Sequence, residues 1–247
     1  MLRNQVPPEL AEWIESSVPG DLDFYAQYAR GASGPVLVLM AGTGRFAFSL
    51  ARSGAAVMGI DADPANVEWA RARTPAGSGL KLLFFQADPT HFIAEQKHAL
   101  VIIPGGALGR LLTQDEQRNC LMAVRRAMAL GGTLLLDLPL WDPAATLSEG
   151  PTLRRGTKDE PSALLSRQRR FEPVRQTLET LHLVEWLDEE GVVTKRQAVQ
   201  TLERFSTPSE ILLLLQSTGF APTCYGSFDR TGFVPGAKRL VIEAAMR

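Results

Sequence analysis

The chain has 247 residues, 45% of them hydrophobic, enough apolar material for one large α/β domain or for a core with a sizeable insertion. Its 26 basic and 27 acidic side chains leave a formal charge of −1, which gives no overall pull toward nucleic acid or an anionic membrane. No apolar run is long enough to cross a bilayer, the first residues lack the apolar core of a secretory signal, and two cysteines and three histidines show no metal or redox spacing, so the expectation is a cytoplasmic, metal-free chain.

Residues Glu9 to Val18 and Asp21 to Arg30 read as helices split by Pro19-Gly20. Strand and helix patterns then alternate. Val36–Leu39 is a short apolar strand, Arg45–Ser53 a helix, Ala56–Ile60 a strand, and Pro64–Arg73 a helix with proline in its first turn. Leu80–Gln86 is a third strand and Leu100–Ile103 a fourth, followed by Pro104-Gly105-Gly106. A long helix is expected from Gln114 to Leu130, stopped by Gly131-Gly132, with Thr133–Leu138 as a fifth strand. Such alternation of short apolar strands with helices predicts a parallel sheet covered on both faces, a Rossmann-like doubly wound α/β fold. Ligands of such sheets sit at the carboxyl ends of the strands, where Gly42, Asp61, Asp88 and Gly105 all fall. Cys120 and Cys224 read as small core hydrophobes.

After Pro139 the pattern changes. Residues 141–162 read as a long loop, and Ser166–Phe171, Thr177–Leu187 and Val192–Leu202 alternate like antiparallel strands with one wet face. Thr207-Pro-Ser-Glu210 caps a helix through Gln216, and two strands close the chain, about Ala221–Phe228 and Arg239–Ala245. Residues 151–175 carry seven basic against three acidic side chains, which suits a solvated face or, more sharply, an anionic substrate. Without interleaved aromatics, nucleic acid is not an expected partner.

The chemistry-bearing unit is Val36 to Asp61: strand, glycine turn, helix, strand, and a single acid at the second strand's tip. The glycines let the backbone approach a ligand, and the acid accepts hydrogen bonds from ribose hydroxyls, so the unit suits an adenosine-containing cofactor. Gly42-x-Gly44-x-x-Ala47 also satisfies a loose dinucleotide fingerprint, which keeps a nicotinamide-dependent oxidoreductase open.

Over nearly its whole length the chain resembles a class I S-adenosylmethionine-dependent methyltransferase of the small-molecule branch. Asp21-Leu-Asp-Phe-Tyr-Ala-Gln-Tyr28 resembles the aromatic segment that closes over the cofactor, and Gly42-Thr-Gly44 the glycine loop. Gly59-Ile-Asp61-Ala-Asp-Pro64 resembles the ribose-binding strand end, Gln86-Ala-Asp88 the adenine-contacting segment, and Leu130 to Asp137 the turn and fifth strand. The resemblance implies a seven-stranded sheet with a reversed C-terminal hairpin. It implies a core of residues 1–140 and 203–247, with an inserted antiparallel sheet, 141–202, covering the substrate. It further implies S-adenosylmethionine held by Tyr25, Ala41, Gly42, Gly44, Asp61, Ala62, Asp88, Pro89 and Ile103.

The departures are specific. The family usually has an acid where Val38 stands, a glycine where Met40 stands, an acid where Ala99 stands, and often a histidine where Arg110 stands. They keep open a fold that has lost catalysis and serves as a binding or partner subunit. Arg110, Trp141 and His182 are the candidate contacts to a small-molecule substrate, and each also has a plain structural explanation: a solvated arginine, a loop anchor, a cross-strand neighbour. No catalytic residue is assigned, since an activated methyl group needs alignment and exclusion of water more than a side-chain triad. Neither acceptor nor oligomeric state is specified by the residues.

Overall fold

The computed structural model describes residues 6–15, 18–140, 148–156 and 161–247. The helices are α1 Pro8–Ile14, α2 Asp21–Gly31, α3 Arg45–Arg52, α4 Pro64–Ala72, α5 Gln114–Ala127 and α6 Pro208–Ser217. The strands are β1 Val36–Leu39, β2 Val57–Asp61, β3 Leu82–Gln86, β4 His98–Ile103, β5 Met128–Pro139, β6 Ser148–Arg154, β7 Ser162–Glu172, β8 Thr177–Leu187, β9 Val193–Arg204, β10 Phe220–Tyr225 and β11 Arg239–Met246. The chain divides into two compact units, one drawn from residues 17–140 and 206–247, the other from 1–16 and 141–205.

The larger unit is built on a seven-stranded sheet of order β10-β11-β5-β4-β1-β2-β3. The pairs among β1 to β5 are parallel, while β11 runs antiparallel to both β5 and β10, which gives the reversed hairpin. All four residues of β1 are buried, as an apolar central strand requires. The pleat sends alternate residues to opposite faces. Leu37, Leu39, Val101, Ile103, Leu134 and Leu136 join one cluster with Leu121, Val124 and Leu215 of α5 and α6. Val36, Val38, Leu100, Ile102 and Leu135 join the other with α2, α3 and α4. Reciprocal capping boxes, Thr113 with Glu116 and Thr207 with Glu210, begin α5 and α6.

The smaller unit is the antiparallel sheet β6-β7-β8-β9. Leu10 and Ile14 of α1 pack on Ala163, Val184 and Trp186, and Trp13 meets Trp186 edge-on at 6.0 Å. The first helix therefore belongs with this sheet, not with the core that residues 1–140 were expected to form. It also ends at Ile14, short of Val18.

Two further expectations change. The helix expected to reach Leu130 stops at Ala127, because Met128 is captured by His98 of β4 and the chain turns extended there. Gly132 then passes so close to the carbonyls of Ala129, His98 and Ala99 that a Cβ would lie 3.0–3.2 Å from them. The expected loop 141–162 contains β6, whose seven residues are all exposed. An edge strand without a buried face leaves no apolar period to read, and its extended form comes from pairing with β7. β10 closes at Tyr225 rather than Phe228, since the Gly226 N–H donates to the Thr231 carbonyl and starts a turn.

His98 is fully buried at the start of β4, and neither ring nitrogen makes a side-chain hydrogen bond. Burial lowers its pKa, with the Ala127 backbone opposing. A depressed histidine costs no stability above about pH 6.5 and costs progressively more as pH falls below it, because only the unfolded chain takes the proton there. His98→Leu is expected to raise stability at neutral pH by about 1 kcal/mol and to flatten the acid limb of the thermal midpoint against pH. An unchanged acid limb in a folded variant would contradict this.

Candidate cofactor and substrate site

The site is assembled at the carboxyl ends of the parallel strands of the larger unit. From β1 the chain passes through Met40, Ala41, Gly42, Thr43 and Gly44 into α3. The Ala41 N–H donates to the Ile60 carbonyl at 2.9 Å, and the Gly44 N–H to the Ala41 carbonyl at 3.0 Å. Asp61, only 7% exposed, ties this loop to the tip of β2. Its Oδ2 accepts from the Gly42 N–H at 2.8 Å; its Oδ1 accepts from the Asp63 N–H at 3.0 Å and from Asn66 Nδ2 at 3.2 Å. The Asn66 Oδ1 beside it is buried without a hydrogen-bond partner. Gly44, at φ +96°, lies against the Phe48–Phe84 pair, and a Cβ there would meet Phe48 at 2.8 Å. Only glycine fits that close approach. Ala62 is exposed just past Asp61.

The third tip carries Asp88. Its Oδ1 accepts from the Thr90 N–H at 2.8 Å and the Thr90 hydroxyl at 2.6 Å, and its Oδ2 lies 3.7 Å from His91 Nδ1. Burial pushes this carboxyl up, but the Thr90 donors and His91 hold it below its ordinary value. Pro89 is buried beside it.

The fourth tip is organised by a residue that sequence reasoning did not single out. Ile103 is fully buried at the end of β4, and the Gly105 N–H two residues on donates to Asp137 Oδ1 at 2.7 Å. The Tyr25 hydroxyl donates to the same oxygen at 2.5 Å, and Arg239 donates to Oδ2. Tyr25 and Asp137 are both fully buried. Burial first, then the neighbouring Asp137 carboxylate, pushes the Tyr25 phenol well above its ordinary pKa. Tyr25, expected as a cofactor contact, thus has its hydroxyl occupied and stands behind the Phe46 ring, which it meets edge-on at 5.5 Å. Phe46 in turn lies alongside Gly105 and beneath the Arg45 guanidinium, whose Nη2 reaches both oxygens of Asp21 at 2.9 and 2.8 Å. The signal for Asp137 was present: it is the one acid in the apolar run Leu134 to Leu138.

The departures in the glycine loop have physical accounts. Val38 is fully buried in the cluster that holds Tyr25, Phe46 and Ile102, where an acid would have no polar partner among those neighbours. Met40 is held at φ +51°, the left-handed region that favours glycine, while its side chain joins the opposite apolar cluster.

Of the substrate candidates, Arg110 is exposed at the end of a 3-10 turn, Ala107–Arg110, in the larger unit. His182 is in β8 of the smaller unit, buried, with Nε2 3.1 Å from Thr201 Oγ1. Trp141 lies outside the described residues. No helix among the described residues is long and apolar enough to cross a membrane.

Known methyltransferases share this fold. Residues 36–132 match the family model described as a methyltransferase domain. The CcbJ methyltransferase of Streptomyces caelestis is similar at 25% identity, over 94% of this chain and 92% of that one, with a TM-score of 0.75. An S-adenosylmethionine-dependent methyltransferase of Clostridium acetobutylicum has the same fold at 15% identity, over 96% of each chain, with a TM-score of 0.78. CalS10, an amino pentose methyltransferase of Micromonospora echinaspora, does so at 18% identity, over 95% of each chain, with a TM-score of 0.73. No curated protein matches by sequence. Residues 36–132 thus match a methyltransferase domain, and the chain has the fold of S-adenosylmethionine-dependent methyltransferases; S-adenosylmethionine replaces the nicotinamide alternative as the cofactor these likenesses support.

Because Asp61 takes three protein donors, Asp61→Ala is expected to cost on the order of 1–3 kcal/mol in stability as well as weakening S-adenosylhomocysteine binding. Asp61→Asn, which preserves shape but loses one acceptor oxygen, should fall between. Calorimetric titration beside thermal unfolding checks both; full stability and full affinity in Asp61→Ala would remove the residue from loop and site alike.

Proposed function

We propose that this chain transfers the methyl group of S-adenosylmethionine to an oxygen or nitrogen atom of a small-molecule acceptor by direct displacement. The observation that carries the reading is the Asp61–Gly42 tie with the unpartnered Asn66 Oδ1 beside it. The carboxylate offers about four lone-pair sites, of which three are engaged. One remaining site and the Asn66 carbonyl suit the two hydroxyls of a ribose. Asp88, whose side chain is 61% exposed, suits the adenine amino group. Ala41, Gly42, Gly44 and Ala62 allow close backbone approach, and Pro89 and Ile103 supply apolar walls.

When bound, S-adenosylmethionine supplies a methyl group already activated by its sulfonium. The chain itself must hold, orient and exclude water. Phe46, braced by Tyr25 and covered by Arg45, fixes the wall next to the Gly105 turn. With Val38 apolar, the ammonium end of the cofactor would be met by backbone carbonyls rather than by an acid at that position. Segment 141–202 is the part read as the substrate cover, and Arg110, Trp141 and His182 are the candidate contacts to the acceptor. The amino pentose named for CalS10 supports an acceptor of that size.

Thermal unfolding with S-adenosylhomocysteine and with NAD, in parallel, tests the reading. A ligand at 100 times its dissociation constant adds about 2.7 kcal/mol, which raises the midpoint by roughly 5–10 °C in a chain of this size. A shift with S-adenosylhomocysteine alone is expected. A shift with NAD alone would overturn the cofactor assignment, and no shift with either would favour a fold retained for binding a partner.

A further inference from the structure

The strand order β4-β1-β2-β3 gives the ligand end of the larger unit a direction. With Asp88 beyond β3 read as the adenine contact and Asp61 at the tip of β2 as the ribose contact, whatever extends past the ribose falls to the tips of β1 and β4. The two halves differ in kind. On the adenosine side polar groups stand uncommitted: Asp61 keeps spare acceptor capacity, the buried Asn66 Oδ1 has no partner, and the Asp88 side chain is 61% exposed.

The tips of β1 and β4 offer the opposite. Val38 and Ile103 are fully buried, and the Met40 side chain joins the apolar cluster of α5 and α6. Two acids reach these tips, Asp21 at 5% exposure and Asp137 at 0%, and each already has its own arginine. Arg45, the residue after Gly44, puts Nη2 on both oxygens of Asp21 at 2.9 and 2.8 Å, and the Val18 and Leu22 N–H groups donate to the same carboxylate at 3.3 and 2.6 Å. Arg239 takes Asp137 Oδ2, while the Tyr25 hydroxyl and the Gly105 N–H take Oδ1. Two closed ion pairs carry no net charge. Neither the ammonium nor the carboxylate of an amino acid meets an unbalanced opposite charge there, and setting either ion against such a wall gives up hydration for little in return.

We propose that ligand recognition in the larger unit is confined to the adenosine half, so that the site binds adenosine thioethers lacking an amino-acid end, the methylthioadenosine class, about as well as it binds S-adenosylhomocysteine. This rests on the reading of Asp61 and Asp88 as adenosine contacts and adds a second ligand class to that site. A nucleoside of this class competes with S-adenosylmethionine for the same strand tips.

Titration calorimetry on the full chain with S-adenosylhomocysteine, 5′-deoxy-5′-methylthioadenosine and L-methionine, each alone, tests it. The two nucleosides should differ by no more than about tenfold in dissociation constant, whereas charge-assisted bonds to both ends of an amino acid would separate them by roughly a hundredfold or more. L-methionine should not bind. Asp61→Asn should weaken both nucleosides by the same factor, which reports that they share one site. Arg45→Gln leaves the Asp21 carboxylate without its cation and should open a gap in favour of S-adenosylhomocysteine, with thermal unfolding as the check that the variant is folded. A gap above tenfold in the wild type, binding of L-methionine, unequal losses in Asp61→Asn, or an unchanged ratio in folded Arg45→Gln would overturn the inference. S-adenosylhomocysteine binding without the methylthio nucleoside strikes this inference and leaves the methyl-transfer reading standing; failure of both to bind strikes both.

Discussion

One buried carboxylate holds the ligand end of the larger unit together. Asp137, on β5, receives the Tyr25 hydroxyl from α2, the Gly105 N–H from the turn after β4, and the Arg239 guanidinium from β11. A charge with no exposure persists only when paired and fully hydrogen-bonded, and removing one partner of such a pair costs roughly 3–5 kcal/mol. The aromatic side chains follow from it. Tyr25, pinned by its hydroxyl, turns its ring toward Phe46 and Phe228, and Arg239 lies over Phe228 at 5.7 Å. The Phe46 wall, the Gly105 turn and the placing of the Tyr25 ring are therefore consequences of one buried carboxylate and its three donors.

The second constraint is Asp61, and the two carboxylates work differently. Asp137 is neutralised by an arginine and closed to solvent; Asp61 has no cation among its hydrogen-bond partners, only N–H donors, and retains acceptor capacity. The first shapes the site and the second remains able to bind. In the smaller sheet a third arrangement appears, in which Glu149 is more exposed than Arg167 and Arg169, which both donate to it.

Much of the larger unit was legible. Apolar runs of four to six residues marked β1, β2 and β4 to within two residues, and the capping signals Thr113-x-x-Glu116 and Thr207-x-x-Glu210 marked two helix starts. The failures share a cause. Met128 has a helical pattern behind it, yet its conformation is decided by pairing with His98, thirty residues away. β6 has no buried face, so only its partner strand reveals it. α1 shows which residues are apolar but not that they pack on Val184 and Trp186. At the site, the glycine loop and Asp61 could be read from local spacing. Asp137 could not be ranked, because its three partners are spread over residues 25, 105 and 239.

The most direct measurement is amide hydrogen exchange with and without S-adenosylhomocysteine. Protection should concentrate in residues 40–44, 61–66 and 103–106, the tips joined by Asp61 and Asp137, and be weaker across β10 and β11 at the far edge of the sheet. Protection confined to that edge, or an unchanged pattern at saturating ligand, would contradict a cofactor site built at these strand ends.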